Sequence, residues 1–341
     1  MYKTFYKLTK NPFQLNADPA FFFDSSGHKR AKAYLRYGLA QGEGFVVVTG
    51  VPGTGKTMLV KELSKFLEKD QSVVIGSLVS SSVGAEDTLR LLAATFAINY
   101  ELDDTKATLL NRIEGFFKEK AKQGKRVLLI VDEAHNLPNQ SIEELRMLSN
   151  FEWEGNIIFQ TFLIGQEELG KRIFSPDMEQ VRQRIVATYQ LKALNVEETR
   201  DYIFFRLEKA GWQGNPRFHD EAITAIFDFS KGIPRRINTV CDRLLLYGFL
   251  EELNHIDLNA TQKVIAEIKE DYKTMAAQKI NNNISPQTTT ITPIDGNLEQ
   301  KVAMLEQTVN ELSLKLKKEQ ELLRKAILIQ LDMSDVYSDG E

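Results

Sequence analysis

The sequence predicts an α/β fold, with a parallel five-stranded sheet covered by helices and a smaller all-helical domain after it. Short apolar runs rich in β-branched residues alternate with amphipathic stretches as far as Leu194, and no run of this kind follows. Strands of a parallel sheet are buried on both faces, which explains why each run is almost continuously apolar. The predicted strands are residues 44–50, 72–79, 126–132, 157–165 and 187–194.

Helical spacing of apolar residues fills the intervals between these strands. In residues 56–67, leucines four positions apart share one helix face, and residues 86–98 and 106–122 have the same amphipathic pattern. This alternation of strand and helix is the order that parallel pairing requires, because parallel strands are joined by crossover connections. Each predicted helix therefore covers one face of the sheet.

A second, helical region begins at Asn195. The stretch from Asn195 to Glu198 has the pattern of a capping box, in which the two side chains bond the first backbone N–H groups of a helix. We expect an α/β domain of residues 1–194, N-terminal segment included, and a helical domain of residues 195–272. The further helices predicted in the second domain are near residues 219–230, 234–252 and 258–272.

The remaining sequence changes character twice. Residues 273–297 are polar, interrupted by proline and free of aromatic side chains, which predicts a flexible linker. Residues 298–331 repeat apolar residues at spacings of four and three, which is typical of a coiled coil, and residues 332–341 form an acidic tail. The repeat favours self-association of this helix, and a single amphipathic helix that packs back on the body is the alternative.

The composition is that of a soluble globular protein, with 43% hydrophobic and 26% charged residues. The formal net charge is −4, so no overall positive field attracts nucleic acid. One cysteine, Cys241, excludes an internal disulfide, and the polar N-terminus and short apolar runs predict neither a signal peptide nor a membrane span. We expect a cytoplasmic protein, with a peripheral position at the inner membrane as the alternative.

The first predicted strand leads into a glycine-rich loop of the form G-x-x-x-x-G-K-T. Between a strand and a helix this motif binds phosphates, because the glycines let backbone N–H groups turn toward the phosphate oxygens at the positive end of the helix. Lys56 is expected to neutralise the β- and γ-phosphates, and Thr57 to bind Mg²⁺ through its hydroxyl. The predicted nucleotide-binding residues are Gly50, Val51, Pro52, Gly53, Thr54, Gly55, Lys56, Thr57, Met58 and Asp132.

The third predicted strand ends in two acids, within the sequence D-E-A-H at residues 132–135. Downstream of a complete phosphate loop, Asp132 is expected to hold Mg²⁺ through a water, and Glu133 to activate the attacking water as a general base. The same four letters name a group of helicases, but those proteins need two α/β domains with nucleotide between them. This chain has sequence for one, so the acids predict ATP hydrolysis with Mg²⁺ and not nucleic-acid unwinding.

A single α/β domain with a phosphate loop, followed by a helical domain, resembles the plan of AAA+ ATPases, in which the helical domain is a lid. The resemblance implies roles for further polar residues. Gln166, just after the fourth strand, matches the residue that contacts the γ-phosphate or the attacking water. Arg184, or Arg182, before the fifth strand matches the arginine finger that reaches a neighbouring subunit's nucleotide. Arg235, in the segment KGIPRRIN, matches the lid arginine that reaches the phosphates.

The order of motifs over about residues 1–270 resembles the ExeA/general secretion pathway A family of AAA+ ATPases. The resemblance is carried by YKTFYKLTKNPF, GTGKT, DEAHNL, LIGQEEL and KGIPRRINTVCDRLLL. Members of that family are associated with type II secretion, MSHA-type pili and exosortase-linked polysaccharide loci. The resemblance implies a homo-oligomer formed through the AAA+ domains, to which the coiled coil adds, and a protein partner in an envelope machinery.

The resemblance has two departures and one open residue. ExeA continues into a transmembrane helix and a peptidoglycan-binding domain, and nothing after Tyr272 resembles either, so cell-wall binding is not expected. Family members more often have DEAQ where this chain has His135, which leaves both acids in place. By family analogy Phe13 and its neighbours line the adenine pocket, and a place in the core is the alternative for Phe13.

Two other functions stay open. Transposition ATPases that assemble on DNA share the core, so a DNA-associated regulator is one alternative, although nucleic acid is not the favoured partner. A slow ATP-dependent switch that recruits partners through the coiled coil is the other. Salt-dependent DNA binding tests the first, and steady-state turnover tests the second.

Overall fold

The computed structural model describes residues 2–68, 70–79 and 84–283, and residues up to Ala276 form one compact unit. The α/β part of this unit has a parallel five-stranded sheet, as predicted, and a short antiparallel hairpin. Its strands are β1 (Phe45–Gly50), β2 (Val73–Val79), β3 (Arg126–Asp132), β4 (Glu152–Trp153), β5 (Asn156–Ile157), β6 (Phe159–Gly165) and β7 (Ile185–Leu191). The sheet order is β2–β3–β6–β1–β7, and β4 with β5 forms the hairpin.

Helices surround this sheet and then form the lid. The helices of the α/β part and the N-terminal segment are α1 (Tyr2–Phe5), α2 (Ser26–Gln41), α3 (Lys56–Leu67), α4 (Ala85–Thr95), α5 (Lys106–Lys122), α6 (Asn139–Leu148), α7 (Glu167–Ile173) and α8 (Glu179–Arg182). The helices of the lid are α9 (Val196–Lys209), α10 (Asp220–Ser230), α11 (Pro234–Leu250) and α12 (Leu258–Asn283). The capping box predicted from Asn195 to Glu198 is present at the start of α9.

Successive residues of β1 contribute to the cores on opposite faces of the sheet. Phe45 and Val47 of β1 lie in the core that contains buried residues of α4, α5 and α6, whereas Val46 and Val48 lie in the core of α2 and α3. This division follows from the two-residue repeat of a strand. Both faces are covered, as the continuous apolar runs predict.

The sheet brings three strand ends together. β6 lies between β3 and β1, and the register pairs Leu163 with Val131 on one side and Gly165 with Thr49 on the other. Because all the strands run in the same direction, the residues that follow β1, β3 and β6 emerge at one edge. This edge carries the phosphate loop, the two acids and Gln166.

The chain passes from the sheet to the lid earlier than predicted. β7 ends at Leu191, and Leu194, the last residue of the predicted strand, is buried in the lid core. The Leu194 N–H donates to the Gly232 carbonyl at 2.9 Å. Gly232 has φ +67°, and a Cβ there would lie 1.9 Å from the Leu194 carbonyl oxygen, so this crossing requires glycine.

The N-terminal segment packs on the lid, which corrects its assignment to the α/β domain. Tyr6, Phe13 and Phe21 are buried in the same core as side chains of α9, α10 and α11. The Thr9 N–H donates to the carbonyl of Ala210, which follows α9, at 2.8 Å. The local pattern of the segment cannot show this, because its aromatic residues are buried by helices about 200 residues away in sequence.

Two further boundaries differ from the prediction. The lid is not all-helical, because β8 (Arg217–Phe218) and β9 (His255–Ile256) form a short parallel ladder. The predicted linker 273–297 starts too early, since α12 continues to Asn283. Polar composition predicts a linker there, but Lys, Met, Ala and Gln are also strong helix formers. The rest of the linker, the coiled coil 298–331 and the tail 332–341 lie outside the described residues.

Candidate nucleotide site

The phosphate loop joins the end of β1 to the start of α3. Gly53 and Gly55 have φ values of +87° and +100°, which side chains with a Cβ rarely adopt, so both glycines are needed for the turn. α3 begins at Lys56, directly after this turn. The positive end of the helix dipole therefore faces the loop, which is the arrangement that favours bound phosphate.

Lys56 is held at the centre of the loop. Its side chain is nearly buried, and its Nζ donates to the carbonyl oxygens of Gly50 at 2.9 Å and Val51 at 3.2 Å. Burial lowers the pKa of Lys56, and the negative charges of Glu133 and Asp132 act in the opposite direction. A buried cation whose hydrogen bonds go to neutral carbonyl groups gains from an anionic ligand.

The two acids follow β3 in different environments. Asp132 is buried, and its Oδ1 accepts a hydrogen bond from the Glu133 N–H at 2.9 Å. Glu133 has φ 54° and ψ 34°, a left-handed conformation that costs about 1 kcal/mol or more for a residue with a Cβ. Glu133 lines the cavity beside the phosphate loop.

The residues present fit a magnesium ion bound with nucleotide. Thr57 lines the cavity, and the Asp132 carboxylate lies near Lys56. These are hard oxygen ligands, and Mg²⁺ in nucleotide sites takes one or two of them and completes its shell with water and phosphate. Among the described residues no group of three or more His, Cys, Asp or Glu side chains could hold a metal alone.

The phosphate loop opens into a cavity of about 410 Å³ between the sheet edge, the N-terminal segment and the lid. Glu133 and Gln166 line it together with the loop residues from Pro52 to Met58. The other lining residues are Gln14, Leu15, Asn16, Ala17, Asp18, Phe21, Phe22, Phe23, His28, Tyr202, Arg206, Pro234, Arg235 and Asn238. Most of this second set was not predicted, and Phe13 lies in the core beside the cavity.

Known proteins are similar to this chain in sequence and fold. The AAA domain family matches residues 39–173. General secretion pathway protein A of Aeromonas hydrophila is 33% identical over 274 residues, which are 80% of this chain and 50% of that protein. The chain is an ExeA-like AAA+ ATPase. It spans about half the length of this curated relative.

Solved structures agree with the fold of the ATPase. Cdc6p from Pyrobaculum aerophilum has a TM-score of 0.58 at 13% identity, covering 74% of this chain and 69% of that chain. The ORC2 protein of Aeropyrum pernix has a TM-score of 0.55 at 15% identity, covering 76% and 71%. In the part of the ATPase that the structure describes, no helix has the length and hydropathy needed to cross a membrane.

Gln166 and His135 of the ATPase form a polar cluster with Glu133. Gln166 follows β6 and caps α7, and its Nε2 lies 2.8 Å from the His135 Nε2. The His135 Nδ1 lies 3.3 Å from the Glu133 Oε2. Gln166 lines the cavity together with residues of the phosphate loop, and its contact with phosphate or water stays a prediction. His135 was not predicted as a site residue, although its place two residues after Glu133 in a short turn is a usable signal.

The arginines of the ATPase divide between the two edges of the sheet. Arg235 lines the cavity, and its N–H donates to the Gly53 carbonyl at 3.2 Å, so the start of α11 contacts the phosphate loop. Arg184 lies at the opposite edge, where its carbonyl accepts from the Phe45 N–H at the start of β1. Gly50 is five positions after Phe45 in β1, which is about 17 Å at 3.3 Å per residue.

Both arginines before β7 have partners within the chain. The Arg184 Nη2 donates to the Asn150 Oδ1 at 2.5 Å, and Arg182 pairs with Glu179 one helical turn earlier. Arg184 is too far from its own phosphate loop to contact phosphate there. The choice between the two as an arginine finger stays a prediction.

The lid side of the cavity is organised around Arg206. Its Nε donates to the Pro12 carbonyl at 2.5 Å, its Nη2 to the Gln14 carbonyl at 3.2 Å, and its Nη1 to the Tyr202 hydroxyl at 3.0 Å. The Tyr202 hydroxyl in turn donates to the Asn238 Oδ1 at 2.8 Å. Arg206 is buried, and arginine is rarely buried unless it is paired. The sequence carries no local signal for this group, because the partners of Arg206 lie in the distant N-terminal segment.

His28 lies beneath the phosphate loop. It is 5% exposed, its Nδ1 lies 2.7 Å from the Ser25 Oγ, and its Nε2 lies 2.9 Å from where a Cβ on Gly55 would be. Burial lowers the pKa of His28 to about 4, although Asp24 acts to raise it. His28 is therefore neutral at pH 7, and it supports the loop without adding charge.

Proposed function

We propose that this AAA+ ATPase hydrolyses Mg²⁺-bound ATP with Glu133 as the general base. The observation that carries the proposal is the convergence of Lys56, Glu133 and Gln166 on one cavity. Lys56 neutralises the β- and γ-phosphates, and Gln166 contacts the γ-phosphate or the attacking water. Thr57 and Asp132 would hold Mg²⁺, which would supply positive charge to neutralise the charge that develops on the phosphate oxygens, and Arg235 reaches the phosphates from the lid.

The test of the base is Glu133→Gln. The amide keeps the shape of the side chain but cannot take a proton from water, so turnover should fall at least about 100-fold while ATP still binds. Steady-state phosphate release and equilibrium ATP binding measure the two effects separately. Glu152→Gln, at an exposed acid of the hairpin, is the matched control and should keep normal turnover. Normal turnover in Glu133→Gln would remove Glu133 from the mechanism.

The second element of the proposal is an oligomer in which Arg184 serves a neighbouring subunit. Its position about 17 Å from its own loop supports a role in trans. Arg184→Ala should then bind ATP normally and be nearly inactive, and mixing it with Lys56→Ala should recover activity, because one complete composite site can form. If no mixture exceeds the separate proteins, Arg184 is not a finger, and Arg182→Ala becomes the next variant.

The cellular role is assembly or remodelling of a secretion, pilus or polysaccharide-export machinery at the cell envelope. The likeness to general secretion pathway protein A over 80% of this chain supports it. Affinity capture with Glu133→Gln, which should retain ATP and its partners, tests this role. ATP-dependent DNA binding with a steep salt dependence would instead favour a DNA-associated regulator. Turnover that stays very slow with every captured partner would favour a recruitment switch.

The tail forms the third element of the proposal. An apolar seam over residues 298–331 is buried only if another helix meets it, so we expect nucleotide-independent self-association there. Leu312→Asp places a charge in the seam and should lower the mass of the nucleotide-free protein in light scattering. Ser313→Asp, one position outside the seam, is the matched control. An unchanged mass for Leu312→Asp would indicate a docked or partner-binding helix.

A further inference from the structure

His135 connects two residues that face the nucleotide cavity, although it does not line the cavity itself. Its Nδ1 lies 3.3 Å from the Glu133 carboxylate, and its Nε2 lies 2.8 Å from the side-chain nitrogen of Gln166. Glu133 follows β3 and Gln166 follows β6, so the imidazole bridges two adjacent strand ends. Its side chain is 16% exposed, which leaves the ring little freedom to choose other partners.

The turn that carries His135 is packed for this contact. A Cβ on Gly165, the last residue of β6, would lie 3.1 Å from the His135 backbone nitrogen and 2.9 Å from a methyl carbon of Leu169. The turn at Ala134–Asn136 therefore passes against the end of β6. The left-handed conformation of Glu133 begins this turn and directs the chain back toward Gln166.

The chemistry of the three groups gives the bridge a direction. The Gln166 backbone N–H lies 3.4 Å from Nδ1 and donates to it only when Nδ1 carries no proton. A carboxylate only accepts hydrogen bonds, so a hydrogen bond to Glu133 instead places the proton on Nδ1. A neutral imidazole then has Nε2 as an acceptor, and the Gln166 amide nitrogen donates to it. In this tautomer, hydrogen bonds run from Gln166 through His135 to Glu133, and the carboxylate is held to one side by the ring.

We propose that His135 is a positioning residue that couples the γ-phosphate contact of Gln166 to the orientation of the Glu133 carboxylate. The inference rests on the proposed function, because it assigns a trigger to the same base. When phosphate oxygens accept the Gln166 amide hydrogens, the amide turns its carbonyl oxygen toward the ring. Only a ring with its proton on Nε2 can donate to that oxygen.

The change of tautomer releases Glu133. The ring loses the proton of Nδ1 to water and takes one from water at Nε2, so its charge does not change. Nδ1 becomes an acceptor, and the Gln166 backbone N–H, 3.4 Å away, is placed to donate to it. Glu133 loses its donor and is free to accept a hydrogen bond from the attacking water. The base is thus withheld until Gln166 contacts a γ-phosphate.

The experiment uses the full chain and compares His135→Met, His135→Gln, Gln166→Ala and the double variant His135→Met/Gln166→Ala. Methionine keeps an apolar volume but removes both ring nitrogens. The kcat of His135→Met should fall about 10- to 100-fold, because Gln166 loses the ring N–H that orients its amide toward the γ-phosphate, while the Kd for ATP stays within about threefold. The double variant should be no slower than the slower single variant, because both changes break one chain of contacts.

Two comparisons separate positioning from folding. Glutamine can donate and accept, so His135→Gln should recover part of the lost kcat, whereas a purely structural loss would track melting temperature. His255→Met, at an exposed lid histidine, is the matched control and should keep normal kcat. Multiplicative losses in the double variant, or normal kcat in His135→Met when Glu133→Gln is inactive, would overturn the inference alone. Normal turnover in Glu133→Gln would overturn the proposed function as well.

Discussion

The two sides of the nucleotide cavity are built in different ways. The phosphate side comes from the ends of β1, β3 and β6, which the register of one sheet holds side by side. The lid side comes from the N-terminal segment, α9 and α11, which are far apart in sequence and meet through side chains such as Arg206. The first side is a consequence of strand pairing, and the second depends on a few tertiary hydrogen bonds.

The phosphate side of the cavity therefore carries the chemistry, and the lid side is the part that can move. Groups fixed to a sheet edge keep their geometry, because the sheet is buried on both faces. A lid held to the phosphate loop by single contacts, such as the Arg235 N–H on the Gly53 carbonyl, can separate at lower cost. Changes on the two sides should therefore have separable effects on phosphate binding and nucleoside binding.

The largest loss of ligand affinity is expected for Lys56→Ala, on the phosphate side. Loss of the buried cation removes charge-assisted bonds to two phosphates, so affinity for ATP and for inorganic tripolyphosphate should both fall at least 100-fold, about 3 kcal/mol. Calorimetric titration with each ligand measures this. Lys65→Ala, exposed on the same helix, should leave both affinities unchanged. A loss of ATP binding with normal tripolyphosphate binding would place Lys56 away from the phosphates.

A smaller loss, limited to ATP and absent for tripolyphosphate, is expected for Arg206→Ala on the lid side. The change leaves the Pro12 and Gln14 carbonyls without their donor in a buried place, which costs about 2 kcal/mol and lowers the melting temperature by about 5 °C. ATP affinity should fall about tenfold, while tripolyphosphate affinity is unchanged, because the phosphate side stays intact. Exposed Arg200→Ala is the control. Equal losses for both ligands would show that the two sides are not separable.

The phosphate side could be predicted from the sequence, and most of the lid side could not. β1, β3 and α3 follow their predicted bounds closely, and Lys56, Glu133 and Gln166 meet in one cavity, because each follows directly from a strand and its pairing. The place of the N-terminal segment could not be predicted in the same way. The spacing of its aromatic residues does not indicate which element they pack against, and the lid residues that they contact are distant in sequence. Long-range side-chain packing leaves no local signal.

Two residues of the site were not predicted, and for the same reason. His135 has a role only when β3 and β6 are adjacent, which the letters D-E-A-H do not state. Arg206 looks like one more surface arginine of an amphipathic helix until the N-terminal segment buries it. In both cases the neighbour that defines the residue comes from another part of the chain. By contrast, the capping box at Asn195 is complete within four residues and was predicted correctly.

The packing of His28 against the phosphate loop can be tested through the pH dependence of the free energy of unfolding. Burial lowers the pKa of His28 to about 4, below the ordinary value of 6.5, and Asp24, Lys32 and Glu198 are its charged neighbours. His28 therefore binds a proton near pH 6.5 in the unfolded chain but only near pH 4 in the folded chain. The stability is full above pH 6.5 and falls as the pH drops toward 4. Between pH 7 and 5 the loss should be about 2 kcal/mol.

The comparison that isolates this loss is denaturant unfolding of wild type, His28→Gln and the exposed control His219→Gln. The Gln side chain does not titrate, so His28→Gln should lose less stability on acidification, even if it is less stable at pH 7. His219→Gln should follow wild type. If the free energy of unfolding changed with pH in the same way for all three proteins, His28 would become protonated in the folded protein without cost. The packing around His28 would then be looser than its burial indicates.

The smallest effect is expected at Glu198, which ties the start of α2 to the start of α9. Its carboxylate accepts from the Ser26 N–H at 2.9 Å and from the Asn195 N–H at 3.2 Å, and removal in Glu198→Ala should cost about 1 kcal/mol. Burial raises the pKa of Glu198, but these hydrogen bonds outweigh it and lower the pKa below 4.5. The contribution is thus present above pH 4.5 and lost at lower pH. Glu197→Ala, at the exposed neighbouring residue, is the control and should change neither the free energy of unfolding nor its pH dependence. Equal stabilities of the two variants at pH 7 would show that other contacts hold α2 and α9 together.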